Sequence, residues 1–448
     1  MRDRLSRLFE SARALLIGYF FVLIAVSSVL LALPVAWSGD GGIGILNAVF
    51  TATSAACVTG LITMNTAHFS LFGQIVIMIT IQFGGLGIIL FSTLFVIQPV
   101  ARISMRNRSL IREYYVDQVD FNPARIVRAI LVVTFVLQAI GALALYAGFV
   151  TLEVEHPGFN AVFHAISAFC NAGFSLFADS LEGFTHAERI TVPVMALTVL
   201  GGIGFVVLDD LYRKARVGRG HRLTLHSKVV LVTTAALIVT GTVGYLLLEY
   251  HGAYAGMETG QALSASLFQS VTPRTAGFNT VGQELLGAPA RTLTLGLMFT
   301  GGAPGSIAGG IKVTTFVIVL LAALFGTNKD GELVLARRRL PAELVAKAHG
   351  LFFKAIALLF VAIIALTITE RHLPATTFDY SDLLFEAFSA FGTVGLSTGL
   401  TPELSAAGRV VVILTMFAGR VGLIALAMPR GMAARGPVRY PTGEIMVG

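Results

Sequence analysis

Four fourteen-residue windows of this 448-residue chain align without a gap: AVFTATSAACVTGL (48–61), AVFHAISAFCNAGF (161–174), ASLFQSVTPRTAGF (265–278) and LLFEAFSAFGTVGL (383–396). The thirteenth position is always glycine (Gly60, Gly173, Gly277, Gly395), and Leu61, Phe174, Phe278 or Leu396 follows it. The seventh is serine in three copies, Ser54, Ser167 and Ser389. A single glycine before an apolar residue carries no information, but four in register are an internal repeat. Each window lies between two long apolar segments: 14–35 and 71–97, 126–150 and 190–208, 228–248 and 292–325, 350–368 and 409–428. A bilayer core of about 30 Å needs roughly 20 helical residues, so the long segments can cross it. The short ones between them, near 45–57, 158–170, 262–273 and 380–392, cannot. The pattern predicts an all-α polytopic membrane protein. Four pseudo-symmetric helix–pore-helix–helix units, 14–97, 126–212, 227–325 and 349–429, surround a central pore. The segments 1–13, 98–125, 213–226, 326–348 and 430–448 connect or flank them.

Composition agrees. The chain is 55% hydrophobic and 13% charged, which excludes an ordinary soluble protein. Its net charge of +7 is better read through position than as a nucleic-acid signal. Arginine and lysine gather in the N-terminus (Arg2, Arg4, Arg7, Arg13), in 98–128, 209–228 and 326–349, and in the tail. The opposite loops hold only Arg189, Arg291, Arg371 and Arg409. The positive-inside rule therefore places both termini in the cytoplasm and brings the short segments in from outside. The outer side is acidic, with Asp179, Glu182, Glu284, Asp382 and Glu386 among its carboxylates. Two cysteines, Cys57 and Cys170, make no disulfide framework, and the histidines lack metal-ligand spacing. No enzyme chemistry is indicated.

Non-helical backbone at membrane depth is tolerated where it is buried or lines a wet cavity. Four such segments about one axis can offer rings of carbonyls to a desolvated cation. The expected filter is Val58, Thr59 and Gly60; Asn171, Ala172 and Gly173; Thr275, Ala276 and Gly277; Thr393, Val394 and Gly395. Half-helices entering from outside aim their partly negative C-terminal ends at the membrane centre, which favours a cation there.

The second span of each unit repeats a smaller motif: QFGGLG (82–87), VLGGIG (199–204), FTGGAP (299–304) and FAGRVG (417–422). The third copy expands into GGAPGSIAGGIK (301–312). The 34 residues from Thr292 to Phe325 would make roughly 51 Å of helix, too long for one span. The span is therefore predicted to break into two halves around a loop beneath the filter. Gly301, Gly302, Gly305, Ser306, Gly309, Gly310, Lys312 and Arg420 are its candidate gate residues. Lys312 and Arg420 are costly charges in an apolar span, by at least about 2.5 kcal/mol each on insertion scales. Arg420 replaces a glycine of the other copies, whereas Lys312 can equally snorkel to the interface. The stretch is no P-loop, because Ile311 stands where GxxxxGK[ST] needs lysine. Arg274, next to the third filter, is expected to brace it by pairing with Asp382 or Glu386; Asn171 either faces the filter or buttresses it. Cys57, Cys170 and His164 read as packing residues.

The four filter windows, TATSAACVTGL with FSLFGQ after it, TPRTAGFNT and the glycine-rich break of the third unit resemble the Trk/Ktr/HKT superfamily of potassium transporters. The tail RYPTGEIMVG and the eight-span length resemble its Ktr membrane subunits. The resemblance implies uptake of K+, with no covalent cofactor, by a homodimer in the cytoplasmic membrane of a prokaryote. It implies a gate made by the intramembrane loop and Arg420. A cytoplasmic RCK/KTN-type ring that binds ATP/ADP or NAD(H) would regulate it, and sodium coupling is left open. Gly60, rather than serine, at the first filter favours potassium over sodium. Membrane lipids are the alternative partner for the basic loops. A secondary transporter with discontinuous helices is the rival reading, but parallel rather than inverted repeats argue against it.

Overall fold

The computed structural model describes residues 12–39, 42–101, 123–372 and 378–422. The basic N-terminus, most of the 98–125 link and the tail lie outside the described residues.

The first unit is α1 (Ala12–Ala32), α2 (Ile45–Ala56) and α3 (Leu71–Ala101). The second is α4 (Pro123–Thr151), α5 (Pro157–Phe169), α6 (Glu188–Gly202) and α7 (Phe205–Val217). The third is α8 (Leu225–Glu249), α9 (Thr259–Val271), α10 (Ala288–Phe299) and α11 (Val313–Phe325). The fourth is α12 (Ala342–Thr369), α13 (Tyr380–Gly392) and α14 (Ala406–Phe417), continued by a π-helical turn over Ala418–Gly422. Five of these helices are long and apolar enough to cross a membrane. They present Phe21, Leu143, Leu247 and Phe360 outward, an apolar surface that suits hydrocarbon rather than water. The short helices α2, α5, α9 and α13 have 12 or 13 residues, about 18–20 Å at ~1.5 Å per residue. Phe50, Phe163 and Phe385, equivalent in three windows, anchor their helices in the core.

Within each unit the first span packs on both the short helix and the second span. Between units the second span packs on the next short helix: α3 on α5, α6 on α9, α10 on α13 and α14 on α2. The last contact closes the circuit.

Several sequence boundaries shift. The third unit's second span breaks as expected, between Phe299 and Val313. The second unit's second span also breaks, at Ile203–Gly204, and α7 leaves α6 at 103°. Hydropathy does not predict this break, because GGIGFVV keeps the segment apolar across it. Gly204, at φ +87°, makes the turn, and α7 runs on to Val217 through the 212/213 boundary. The 326–348 link carries regular structure of its own. Its strands β1 (Leu333–Leu335) and β2 (Arg338–Leu340) pair antiparallel with Leu333 opposite Leu340, and α12 begins at Ala342 rather than 349. Pro341 before it supplies a non-helical entry at φ −59°, ψ 147°.

Candidate functional site

The four window glycines meet. A Cβ placed on Gly60 would lie 3.2 Å from the Gly173 Cα, one on Gly173 2.8 Å from Gly277, one on Gly277 3.2 Å from Gly395, and one on Gly395 2.9 Å from Gly60. The glycines thus form a closed ring in chain order, too tight for any side chain. Their φ angles are +97°, +69°, +80° and +95°, the left-handed region that glycine enters without penalty. Two residues earlier, Val58, Asn171, Thr275 and Thr393 also have positive φ (54°, 56°, 74°, 49°). The residue between, Thr59, Ala172, Ala276 or Val394, does not. Alternating handedness turns successive carbonyls to the same side of a strand, and all four copies share it. Non-glycine residues held there cost of order 1–3 kcal/mol each, so the surroundings must enforce them.

Hydroxyls do the enforcing. The Gly60 and Gly395 N–H groups donate to Ser54 Oγ and Ser389 Oγ, both at 3.1 Å. Ser167 Oγ donates to the Phe174 carbonyl at 2.8 Å. The third window has Val271 at the serine position, and its neighbour Thr272 donates instead to the Phe278 carbonyl at 2.6 Å. Asn171 is a brace. With its amide turned to donate to the Ala168 and Thr198 carbonyls (3.1 Å each), its oxygen accepts from Thr275 Oγ1 at 3.3 Å. His164 is fully buried among Phe149, Phe163, Phe177 and Phe278, with Nδ1 on the Asn160 carbonyl (2.8 Å) and Nε2 on Ser175 Oγ (3.0 Å). Cys57 and Cys170 are buried free thiols at the ends of α2 and α5.

Arg274 does not pair with Asp382 or Glu386. It reaches Thr234 Oγ1 of α8 at 3.4 Å, while Asp382 pairs with Arg291 at 3.2 Å and Glu386 accepts from Ser397 and Thr401. Depth explains this. Arg274 follows the C-terminal end of its short helix, whereas Asp382 is in the first turn of α13. Arg291, at the start of α10, lies at the level of Asp382. A double-mutant cycle with Arg291→Ala and Asp382→Ala on thermal unfolding in detergent is expected to give a coupling of about 1 kcal/mol. Additive single effects would contradict the assignment.

On one side the ring glycines floor a cavity of about 240 Å³, also lined by Asp179, Glu182, Asn279, Glu284 and Ser397. Burial first, then the carboxylates of Glu284 and Asp179, push the Glu182 carboxyl above its ordinary range.

On the other side lie the second-span glycines. A Cβ on Gly84, Gly201 or Gly419 would overlap the carbonyl of Ala56, Phe169 or Phe391, at the end of that unit's own short helix. Gly301 instead abuts Gly309 of the expanded loop. The loop is closed at its base, where Gly301 N–H donates to Ile311 O (2.9 Å) and Ile311 N–H to Phe299 O (3.2 Å). It is buried from Gly301 to Ile311 except at Pro304, and it bonds to its neighbours. Ala303 N–H donates to Gly202 O (2.9 Å), Ile307 N–H to Gly201 O (3.3 Å) and Phe205 N–H to Gly305 O (3.1 Å). The missed second-unit break thus exposes backbone groups that hold the loop. A Cβ on Gly309 would meet Gly392 O of the fourth unit at 2.6 Å, and one on Gly85 of the first would meet Ile307 Cγ2 at 3.3 Å. Arg420, 1% exposed, donates from Nη1 to the Ile307 carbonyl. Ser306 Oγ donates to Ala303 O at 2.6 Å, and Lys312 Nζ to Ala308 O. The structure therefore brings the loop residues and Arg420 together.

Residues 26–434 match the sequence profile of the TrkH family, cation transport proteins. The chain belongs to that family. Ktr system potassium uptake protein B of Bacillus subtilis (strain 168) is 36% identical over 98% of this chain and 97% of its own length. The protein of that name from Vibrio alginolyticus is 36% identical over 97% and 94%. Potassium/sodium uptake protein NtpJ of Enterococcus hirae is 37% identical over 100% and 99%. The crystal structure of the potassium transporter TrkH from Vibrio parahaemolyticus superposes with a TM-score of 0.74 at 20% identity, over 93% of this chain and 84% of that one, and so shares the fold. As a TrkH-family protein of the KtrB type, the chain is a multi-pass membrane ion transporter and not an enzyme.

Proposed function

We propose that the chain takes up potassium ions through the glycine ring, with the backbone of residues 58–60, 171–173, 275–277 and 393–395 as the filter. The observation that carries this reading is the closed ring of four left-handed glycines. Carbonyls aligned by alternating φ replace the water shed by the ion, and the tethering hydroxyls keep the ring from collapsing onto a smaller one. The acidic cavity is the outer vestibule, where Asp179, Glu182 and Glu284 concentrate cations. Below the filter the loop of residues 301–312, held by Gly201, Gly202, Phe205 and Arg420, is the gate. The names of the relatives support potassium, and that of the Enterococcus protein keeps sodium in view.

The chain sits in the cytoplasmic membrane of a prokaryote with both termini inside, as its basic segments favour. It works as a homodimer with a pore in each chain, under a cytoplasmic nucleotide-binding ring. Expression in a potassium-uptake-deficient bacterium, with a regulatory subunit of the Ktr type, is expected to restore growth on limiting potassium. Failure to grow, with the protein present in the membrane, would overturn the assignment.

Glu182 gives a pH dependence. Its raised carboxyl takes up a proton at a higher pH than an ordinary glutamate, so acidifying the outside removes vestibule charge early. At low ionic strength the apparent KM for potassium is expected to rise about twofold as the outside is acidified from neutral toward the ordinary carboxylate range, and less in Glu182→Gln or in high salt. Parallel pH profiles of wild type and variant would argue against it.

A further inference from the structure

Beneath the loop lies a second cavity of about 70 Å³, lined by Ile88, residues 308–312, Thr315, Leu351, Gly419 and Arg420. Its electrostatics are unbalanced. Two cationic side chains border it, and neither pairs with a carboxylate among the described residues. Lys312 spends one donor on the Ala308 carbonyl and Arg420 one on the Ile307 carbonyl. Arg420 is 1% exposed, yet its Nε and Nη2 have no partner among the described residues. The N–H groups of Ala308, Gly309 and Gly310, in the cavity wall, likewise meet no acceptor there. Buried donors of this kind are normally satisfied, and a buried charge is normally paired. Cys57 and Cys170, the residues that cap the short helices beside Arg420, are thiols and supply no counter-charge.

We propose that this cavity binds a small monovalent anion of chloride's size. The space takes a water-sized ion with a little water beside it. Ile88 and Leu351 form apolar wall on part of the space, and Arg420, Lys312 and the loop backbone supply the donors, a setting that suits a halide, which demands no fixed donor geometry. The bound anion cancels positive charge under the filter, so its occupancy lowers the barrier to a passing cation. The effect on flux rests on the gate reading given above; the site itself does not.

The test uses the full chain with bromide as probe. Crystals grown in bromide are expected to show an anomalous peak between Arg420 and Lys312. In detergent, at fixed potassium and ionic strength, chloride or bromide is expected to raise the unfolding midpoint relative to gluconate. Arg420→Gln is expected to abolish both effects, and Lys312→Gln, should the arginine variant not fold, to weaken them. No peak with equal midpoints would overturn the site, as would a larger shift with phosphate than with chloride. In proteoliposomes, replacing internal gluconate by chloride is expected to raise rubidium flux about threefold. A bromide peak with flux indifferent to the anion would leave the site standing and remove only its link to gating.

Discussion

Replacing Gly60 with serine is expected to lower the preference for potassium over sodium by tenfold or more, read as the sodium needed to halve rubidium uptake. The residue sits at φ +97°, and its Cβ would lie 2.5 Å from the Ala172 carbonyl oxygen, one of the oxygens proposed to hold the ion. A left-handed non-glycine residue costs roughly 1–2 kcal/mol, and the overlap adds to it. The strain is relieved only by moving the backbone of the first or second filter. Tenfold selectivity is about 1.4 kcal/mol, so a modest displacement of one carbonyl ring suffices. Gly260→Ala is the control, since that glycine has nothing within 4 Å of its Cβ position. Equal selectivity in wild type and Gly60→Ser would argue against a carbonyl filter at this ring.

Most of this arrangement was legible in the sequence because it is repeated. Four windows in register located the ring, and the second-span echo located the glycines that let each span touch the end of its short helix. The serine at the seventh position announced the tether in three units; Thr272, one residue late, was visible only as a hydroxyl beside the gap. What stayed hidden depended on depth and direction. Arg274 and Asp382 are opposite charges on neighbouring units, but they lie at different levels of the membrane, and composition does not encode level. Nor did hydropathy reveal the break at Gly204, since a kink between two apolar stretches leaves their average unchanged. A closer signal was present: the charged run LDDLYRKAR begins four residues after Gly204, too soon for a span that has just passed its glycine motif. The loop was found, but the backbone groups of Gly201, Gly202 and Phe205 that hold it were not, because a hydrogen bond between two backbones leaves no mark on side-chain identity.

Those backbone bonds set the size of the last effect. Deleting Gly305–Ala308 should raise potassium flux at least tenfold in a chain that still folds. The deletion spares the base of the loop, where Gly301 and Ile311 pair, and Val313, which donates to Gly302 at 3.0 Å. It removes the Ile307 N–H and carbonyl and the Gly305 carbonyl, and with them the bonds to Gly201, Arg420 and Phe205. At about 1 kcal/mol net for each neutral bond and more for the charged one, roughly 3–5 kcal/mol of attachment is lost. If half of that opposed opening, the open population rises by between one and two orders of magnitude. Alanine at Ser306 is the milder comparison, because its hydroxyl bonds only within the loop, to Ala303. Rubidium flux into proteoliposomes measures both, with the melting temperature as a check on folding. A deletion that folds and conducts at the wild-type rate would mean that the loop lies in the path without closing it, and the barrier would then have to be sought in the ring itself.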